Sequence, residues 1–264
     1  MFTAVRKYSD LLLLNFKLNL ASAMEYRFSF WSQVLFMMLN NLFLLFFWWV
    51  FFSQFALPGW DMSDILLLYS LVSGSFGIAA MLAGNSTRLG EIIARGELDY
   101  YLLLPINPLF NVLTSRLQVS AAGDLAFALM LAPIALNFDL ASVALFLALL
   151  CCGALVLTAF WTSAGCLSFF WGYSQGLASL VRDSVVMFST YPEAIFSGGI
   201  RFMLFTIIPA GFVTHLPLTL LREFSWLRLG VLLAATALLL SLACWLFHAG
   251  LKRYESGNLM VTRV

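Results

Sequence analysis

Residues Asn85 to Leu109 read NSTRLGEIIARGELDYYLLLPINPL and interrupt an otherwise greasy chain. Apolar segments long enough to cross a bilayer lie on both sides of this stretch, and the stretch itself holds five of the chain's 27 charged residues (14 Lys and Arg, 13 Asp and Glu). A membrane protein needs only a few residues to turn around. A long, charged, partly amphipathic connector suggests that something outside the membrane touches it.

The 264 residues are 62% hydrophobic and 10% charged, with 26 Phe. Soluble domains carry about 25% charge. Repeated apolar runs of about 20 residues read as membrane spans. The net charge of +1 argues against nucleic acid, which needs a clustered basic surface. Cys151, Cys152, Cys166 and Cys244 all lie in apolar runs without metal-ligand spacing and read as small hydrophobes. No metal site and no catalytic constellation is expected. His215 and His248 are isolated, and neither has a plausible acid partner for nucleophilic chemistry.

Residues 1–27 mix charge and apolar residues. Asn15, Asn19 and Ser22 form one polar stripe beside the Arg6, Asp10 and Lys17 face, and the segment reads as an interfacial helix. A solvated amphipathic arm is the alternative. No cleavable leader is read, so the first span is expected to act as an uncleaved anchor. Spans are expected at 28–52, 64–84, 110–136, 140–170, 175–196 and 226–250. Trp48 and Trp49 suit a headgroup belt. In the second span Ser70, Ser73, Gly74, Ser75 and Gly77 permit close helix approach, to a partner the sequence does not identify. Residues 197–222 are cut by Pro209, Gly211, His215 and Pro217; their longest clean run is short for a span and fits a re-entrant hairpin.

Charge then orients the chain. With six spans and both termini cytoplasmic, Arg6, Lys7, Lys17, Arg27, Arg88, Arg95, Arg116, Arg182, Lys252, Arg253 and Arg263 lie inside, and Arg201, Arg222 and Arg228 outside. That division of eleven to three follows the positive-inside bias. A seventh span over 202–221 would worsen it to eight against six. The expected fold is therefore an all-α integral membrane protein of one domain, with an N-terminal interfacial helix, six transmembrane helices, a cytoplasmic connector between spans two and three, and a re-entrant hairpin between spans five and six.

Within the connector, Asn85 or Ser86 is placed to cap a helix over 87–95. Leu89, Ile92 and Ile93 give it an apolar face, Arg88, Glu91 and Arg95 occupy the other sides, and Gly96 ends it. Pro105 and Pro108 stiffen the return into the third span. Such a helix either docks into a partner's groove or lies on the membrane, and spacing alone allows both. The chain has no G-x-x-x-x-G-K-[ST] pattern and so is not itself the ATPase. Asp124, expected about four turns into the third span, either faces a translocation pathway or joins helices through a hydrogen bond. Arg116, two turns earlier, is placed to snorkel to the inner interface.

The run Arg95 to Phe110, RGELDYYLLLPINPLF, resembles a signature of ABC-2 type transporter permeases, and is closest to the short bacterial subgroup known only as uncharacterised ABC transport system permeases. Two further stretches are similar to that subgroup. One is Tyr191–Phe196 with the later Ile208-Pro209 and Leu216-Pro217; the other is Lys252-Arg253-Tyr254-Glu255-Ser256. Ser197-Gly198-Gly199 departs from the subgroup's proline- and tryptophan-bearing pattern.

The resemblance implies a permease subunit with a coupling helix seated in a groove of a separate nucleotide-binding subunit. Two ATPase copies would work with two permeases, the second one the same chain or a related one. ATP and Mg would be bound by the partner subunit and no cofactor by this chain. Candidate coupling residues are Arg88, Glu91, Ile92, Arg95, Glu97, Asp99, Tyr100 and Tyr101, with structural breaks at Pro105, Pro108, Pro192, Pro209 and Pro217. The expected location is the bacterial inner membrane, multi-pass and in contact with lipids. An aromatic-rich interior with few charges suits export of an amphipathic or lipid-like substrate or a hydrophobic drug. An integral membrane enzyme acting on lipids and a membrane assembly factor are the competing classes.

Overall fold

The computed structural model describes residues 2–172 and 175–254. Among the described residues regular structure is helical, with no strand. Thirteen α-helices follow in order: α1 Phe2–Glu25, α2 Arg27–Gln54, α3 Met62–Leu82, α4 Leu89–Ala94, α5 Leu98–Leu102, α6 Pro108–Thr114, α7 Ala122–Ala135, α8 Leu140–Cys166, α9 Ser168–Trp171, α10 Gln175–Ser189, α11 Gly198–Thr206, α12 Leu216–Arg222 and α13 Trp226–Leu251. Four stretches are long and apolar enough to cross a membrane: α2, α3, α8 continued through α9, and α13. Counting each of two bent helix pairs as one span raises this to six.

The central helix is α3. Of its apolar window 72% is buried inside the chain, against 17% for α13 and 22% for α2. It starts in a capping box, in which Asp61 accepts from the Asp64 N–H and Asp64 accepts from the Asp61 N–H. Its small residues meet partners within the same chain. A Cβ on Gly77 would lie 2.8 Å from the Leu125 nitrogen, so only glycine lets α3 and α7 approach so closely. Leu67, Leu68 and Leu71 of α3 pack with Ala128 and Ala132 of α7 and Phe146, Leu149 and Leu150 of α8 in one core cluster. Trp49 is exposed, as a headgroup belt requires, whereas Trp48 is buried and donates to the Tyr69 hydroxyl at 3.0 Å.

Two expected spans take a different form, and the expected hairpin has two distinct arms. Residues 110–136 are not one helix: α6 ends at Thr114, a short 3-10 turn covers Val119–Ala121, and the two arms bend by 70°. The backbone freed at the break finds partners elsewhere. Asn19 donates to the Ser115 carbonyl at 3.1 Å and accepts from the Leu117 N–H at 3.2 Å, and the Gln118 N–H bonds the Ala80 carbonyl at 2.9 Å. Arg116 consequently sits in the bend, and Asp124 in the first turn of α7 rather than four turns deep. In place of 175–196, α10 stops at Ser189, because Pro192 keeps the preceding Tyr191 out of helical geometry. The 197–222 stretch is the second bent pair, α11 and α12, joined through a π turn at Gly211–His215 and bent by 79°. Both of its arms end at one place: Arg201 and Arg222 line the same small cavity beside Trp60.

Five basic residues mark the two ends of α3. Arg222 Nε donates to Asp64 at 2.7 Å, Arg201 pairs with Glu193 at 2.6 Å, and Arg228 with Glu223 at 3.4 Å, all at the Asp61 end. Lys7 and Arg182 reach the connector at the other end, where they donate to the carbonyls of Pro105 and Thr87. Arg263 and the Glu255-Ser256 part of the tail motif lie outside the described residues.

Candidate coupling surface

The connector folds as two short helices, α4 and α5, where one helix over 87–95 was expected. Gly96, at φ +74, takes the left-handed conformation that joins α4 to α5. The first helix starts at Leu89 instead of 87, and neither Asn85 nor Ser86 caps it. Asn85 turns inward and donates to the Val112 carbonyl and the Ser115 hydroxyl, both at 2.9 Å. The stretch before α4 is pressed onto the bend of the third span: a Cβ on Gly84 would lie 2.6 Å from the Arg116 carbonyl oxygen.

Leu89, Ile92 and Ile93 form the expected apolar face, and with Leu98 they are all but fully buried. They meet Leu109 and Val112 of α6, Cys166 of α8 and Phe247 of α13, with Tyr101, Phe169, Leu251 and Tyr254 packed around them. Ile92 therefore packs the connector onto its own chain. Tyr101 is half-buried and accepts from the Ser115 hydroxyl at 3.1 Å. Burial, and then the neighbouring Asp99 carboxylate, push the Tyr254 phenol up to about 12.

The charged candidates make a ladder on the opposite face. Arg88 pairs with Glu91 at 3.3 Å, Glu91 with Arg95 at 2.7 Å, and Arg95 with Glu97 at 3.9 Å. Arg95 and Glu97 have about half of their side chains exposed, and Tyr100 is 67% exposed. Leu102 and Leu103 continue this edge into solvent. Of the eight candidates Arg95, Glu97 and Tyr100 are exposed, Arg88 and Asp99 are half-buried, and Glu91 is mostly buried. Pro105 stays exposed, and its carbonyl accepts from Lys7 at 2.8 Å; Pro108 stands at the start of α6 behind the Asn107 cap.

Sequence reasoning missed the partners contributed by α1. Beside Lys7, the Tyr8 ring meets Phe110 edge-on with 4.9 Å between centroids, and Asn19 braces the bend. The Asn15, Asn19 and Ser22 stripe was the available signal. Asp124 is buried between α2 and α7 and accepts from the Asn41 amide at 2.7 Å; its other oxygen has no partner. It lines none of the cavities described in this structure. An Asn-Asn pair in the greasy first span was the clue to that contact. Among the described residues no group of His, Cys, Asp and Glu side chains could hold a metal ion.

A family model described as "ABC-2 family transporter protein" matches residues 36–257. The chain belongs to the ABC-2 family of transporter proteins. That match runs from within α2 past the end of α13 and so takes in the connector, the bent third span and the hairpin together. No curated protein and no solved structure matches this ABC-2 family chain. It is a multi-pass membrane protein whose family and apolar helices make it a transporter permease.

Proposed function

We propose that the chain is the membrane-spanning subunit of an ATP-driven exporter and that its connector is the port through which a separate nucleotide-binding subunit delivers force. The observation that carries this reading is the two-sided build of the connector. Its inner face is clamped into a core shared by α6, α8 and α13, while its outer edge displays Arg95, Glu97 and Tyr100. A push on that edge has no slack to take up before it reaches the spans.

On this reading two ATPases, carrying ATP and Mg, and a second permease, the same or related, complete the transporter. The connector and both termini face the cytoplasm of a bacterium, with the three basic residues at the Asp61 end outside. The six crossings are α2, α3, the bent α6–α7 pair, α8, α10 with the stretch after it, and α13. The bent α11–α12 pair dips in and returns on the outer side, in keeping with both of its arms ending beside Trp60. The cargo is amphipathic, lipid-like or a hydrophobic drug.

Glu97→Arg and Tyr100→Ala test the port. Both side chains stand outside the core, so the folded chain should keep its melting temperature. Co-purification with the partner ATPase should weaken about tenfold or more, as for loss of an interface hot spot. Full retention of the complex and of transport-linked ATP hydrolysis by both variants would rule the connector out as the coupling element.

A further inference from the structure

A cavity of about 480 Å³ opens on the connector's side of the molecule, between α1, the first turns of α2 and the bend between α6 and α7. Arg88 and Arg116 line it, together with neutral groups able to hydrogen-bond, among them Asn19, Ser22, Ser29 and Gln33. None of its lining residues is acidic. Arg88 shares its charge with Glu91. Arg116 is exposed and makes no ion pair among the described residues. A cavity with two guanidinium groups and no carboxylate selects an anion, and guanidinium matches the geometry of phosphate oxygens.

The surroundings narrow the source of that anion. At the junction of α1 and α2 Tyr26 and Phe30 give the cavity an apolar wall, and on the opposite face of the same turns of α2 Phe28, Trp31 and Leu35 are exposed, which sets these turns at the depth of lipid. In a membrane protein this wall is where acyl chains run. A free phosphate has no use for it, whereas a phospholipid fills both halves.

We propose that the cavity binds the phosphate headgroup of an anionic phospholipid from the leaflet on the connector's side. Its lipid bridges Arg88, which leads into the connector, and Arg116 in the bend of the third span, and so stiffens the contact between them. The inference needs the chain only to be a membrane protein. It stands or falls separately from the ATPase reading.

The test uses the full chain, purified in neutral detergent, with lipid binding counted by native mass spectrometry and stabilisation read by thermal melting. Phosphatidylglycerol should bind and raise the melting temperature, and phosphatidylcholine should do so far less. Arg116→Gln should weaken phosphatidylglycerol binding about fivefold, the effect of one basic residue at an anionic lipid surface; Arg116→Lys should retain most of it. Arg228→Gln, at the opposite end, should change nothing. Equal binding of the two lipids, or unchanged binding by Arg116→Gln, overturns the proposal. So does an equal stabilisation by glycerol phosphate, which would make the ligand a soluble phosphate. Should Arg116→Gln not fold, Ser22→Leu, which fills the cavity and keeps the charge, must lose phosphatidylglycerol; if it binds as the wild type does, the site is elsewhere.

Discussion

The two bent helix pairs break for opposite reasons. The α11–α12 pair carries its own breakers: Pro209 lacks an N–H to donate, and Gly211 follows it under the Phe205 ring. The α6–α7 pair has no proline between Thr114 and Ala122. It breaks where distant groups, Asn19 and the Ala80 carbonyl, take over the hydrogen bonds a continuous helix would make for itself. One bend is written into its own segment, and the other is imposed by neighbours. The first pair also returns to the end where it started, while the second carries the chain from the connector to the far end of α3.

If this contrast is right, the imposed bend is the one that mutations in its neighbours disturb. The largest effect is expected from Gly84→Leu. Its side chain would drive into backbone atoms at the bend, with the Arg116 carbonyl oxygen 2.6 Å from the new Cβ. Overpacking of this kind costs about 3 kcal/mol when backbone has to yield, enough to be seen as loss of monodisperse protein on gel filtration. Next comes Asn19→Leu, which strands the Ser115 carbonyl and the Leu117 N–H. A loss of about 2 kcal/mol is expected, since each unpaired buried group costs about 1–3 kcal/mol and water in the adjoining cavity takes up part of it. Thermal melting in detergent measures it, and an unchanged midpoint would mean that the bend does not depend on α1.

Smaller effects should mark the other bend. A double-mutant cycle of Arg222→Gln with Asp64→Asn should give a coupling of about 1 kcal/mol or less, because a third of the Arg222 side chain is exposed and such pairs are screened. Pro209→Ala should change stability by less than about 1 kcal/mol and leave the bend in place, since the Phe205 ring and the π turn still hold it. Cysteine crosslinks between the two arms would report a straightened pair if that expectation fails.

This contrast also marks what was legible beforehand. Pro209, Gly211 and Pro217 announced a broken segment because a breaker acts on its own chain neighbours. The run Ser115-Arg116-Leu117-Gln118 looks like an ordinary stretch of a span entrance, and nothing local shows that Asn19 will be waiting beside it. The same limit explains the connector. Its apolar face could be seen in Leu89, Ile92 and Ile93, but a periodic pattern says that a face is covered and not by what. Phe247 and Tyr254 cover Ile92. Composition suits Trp48 to a headgroup belt, but its Tyr69 partner lies on the next helix. The Arg95-to-Phe110 run points to the family only together with Tyr191–Phe196, the later Ile208-Pro209 and Leu216-Pro217, and the Lys252-to-Ser256 tail.

The core beneath the connector has a consequence for the order in which this protein is made. Its last contributors, Phe247, Leu251 and Tyr254, leave the ribosome long after Leu89 and Leu98 have done so. Until α13 is inserted, the inner face of the connector rests on α6 and α8 alone and its core is incomplete. If the connector is the coupling port proposed above, recruitment of the ATPase is thereby favoured on finished chains over truncated products lacking the last helix.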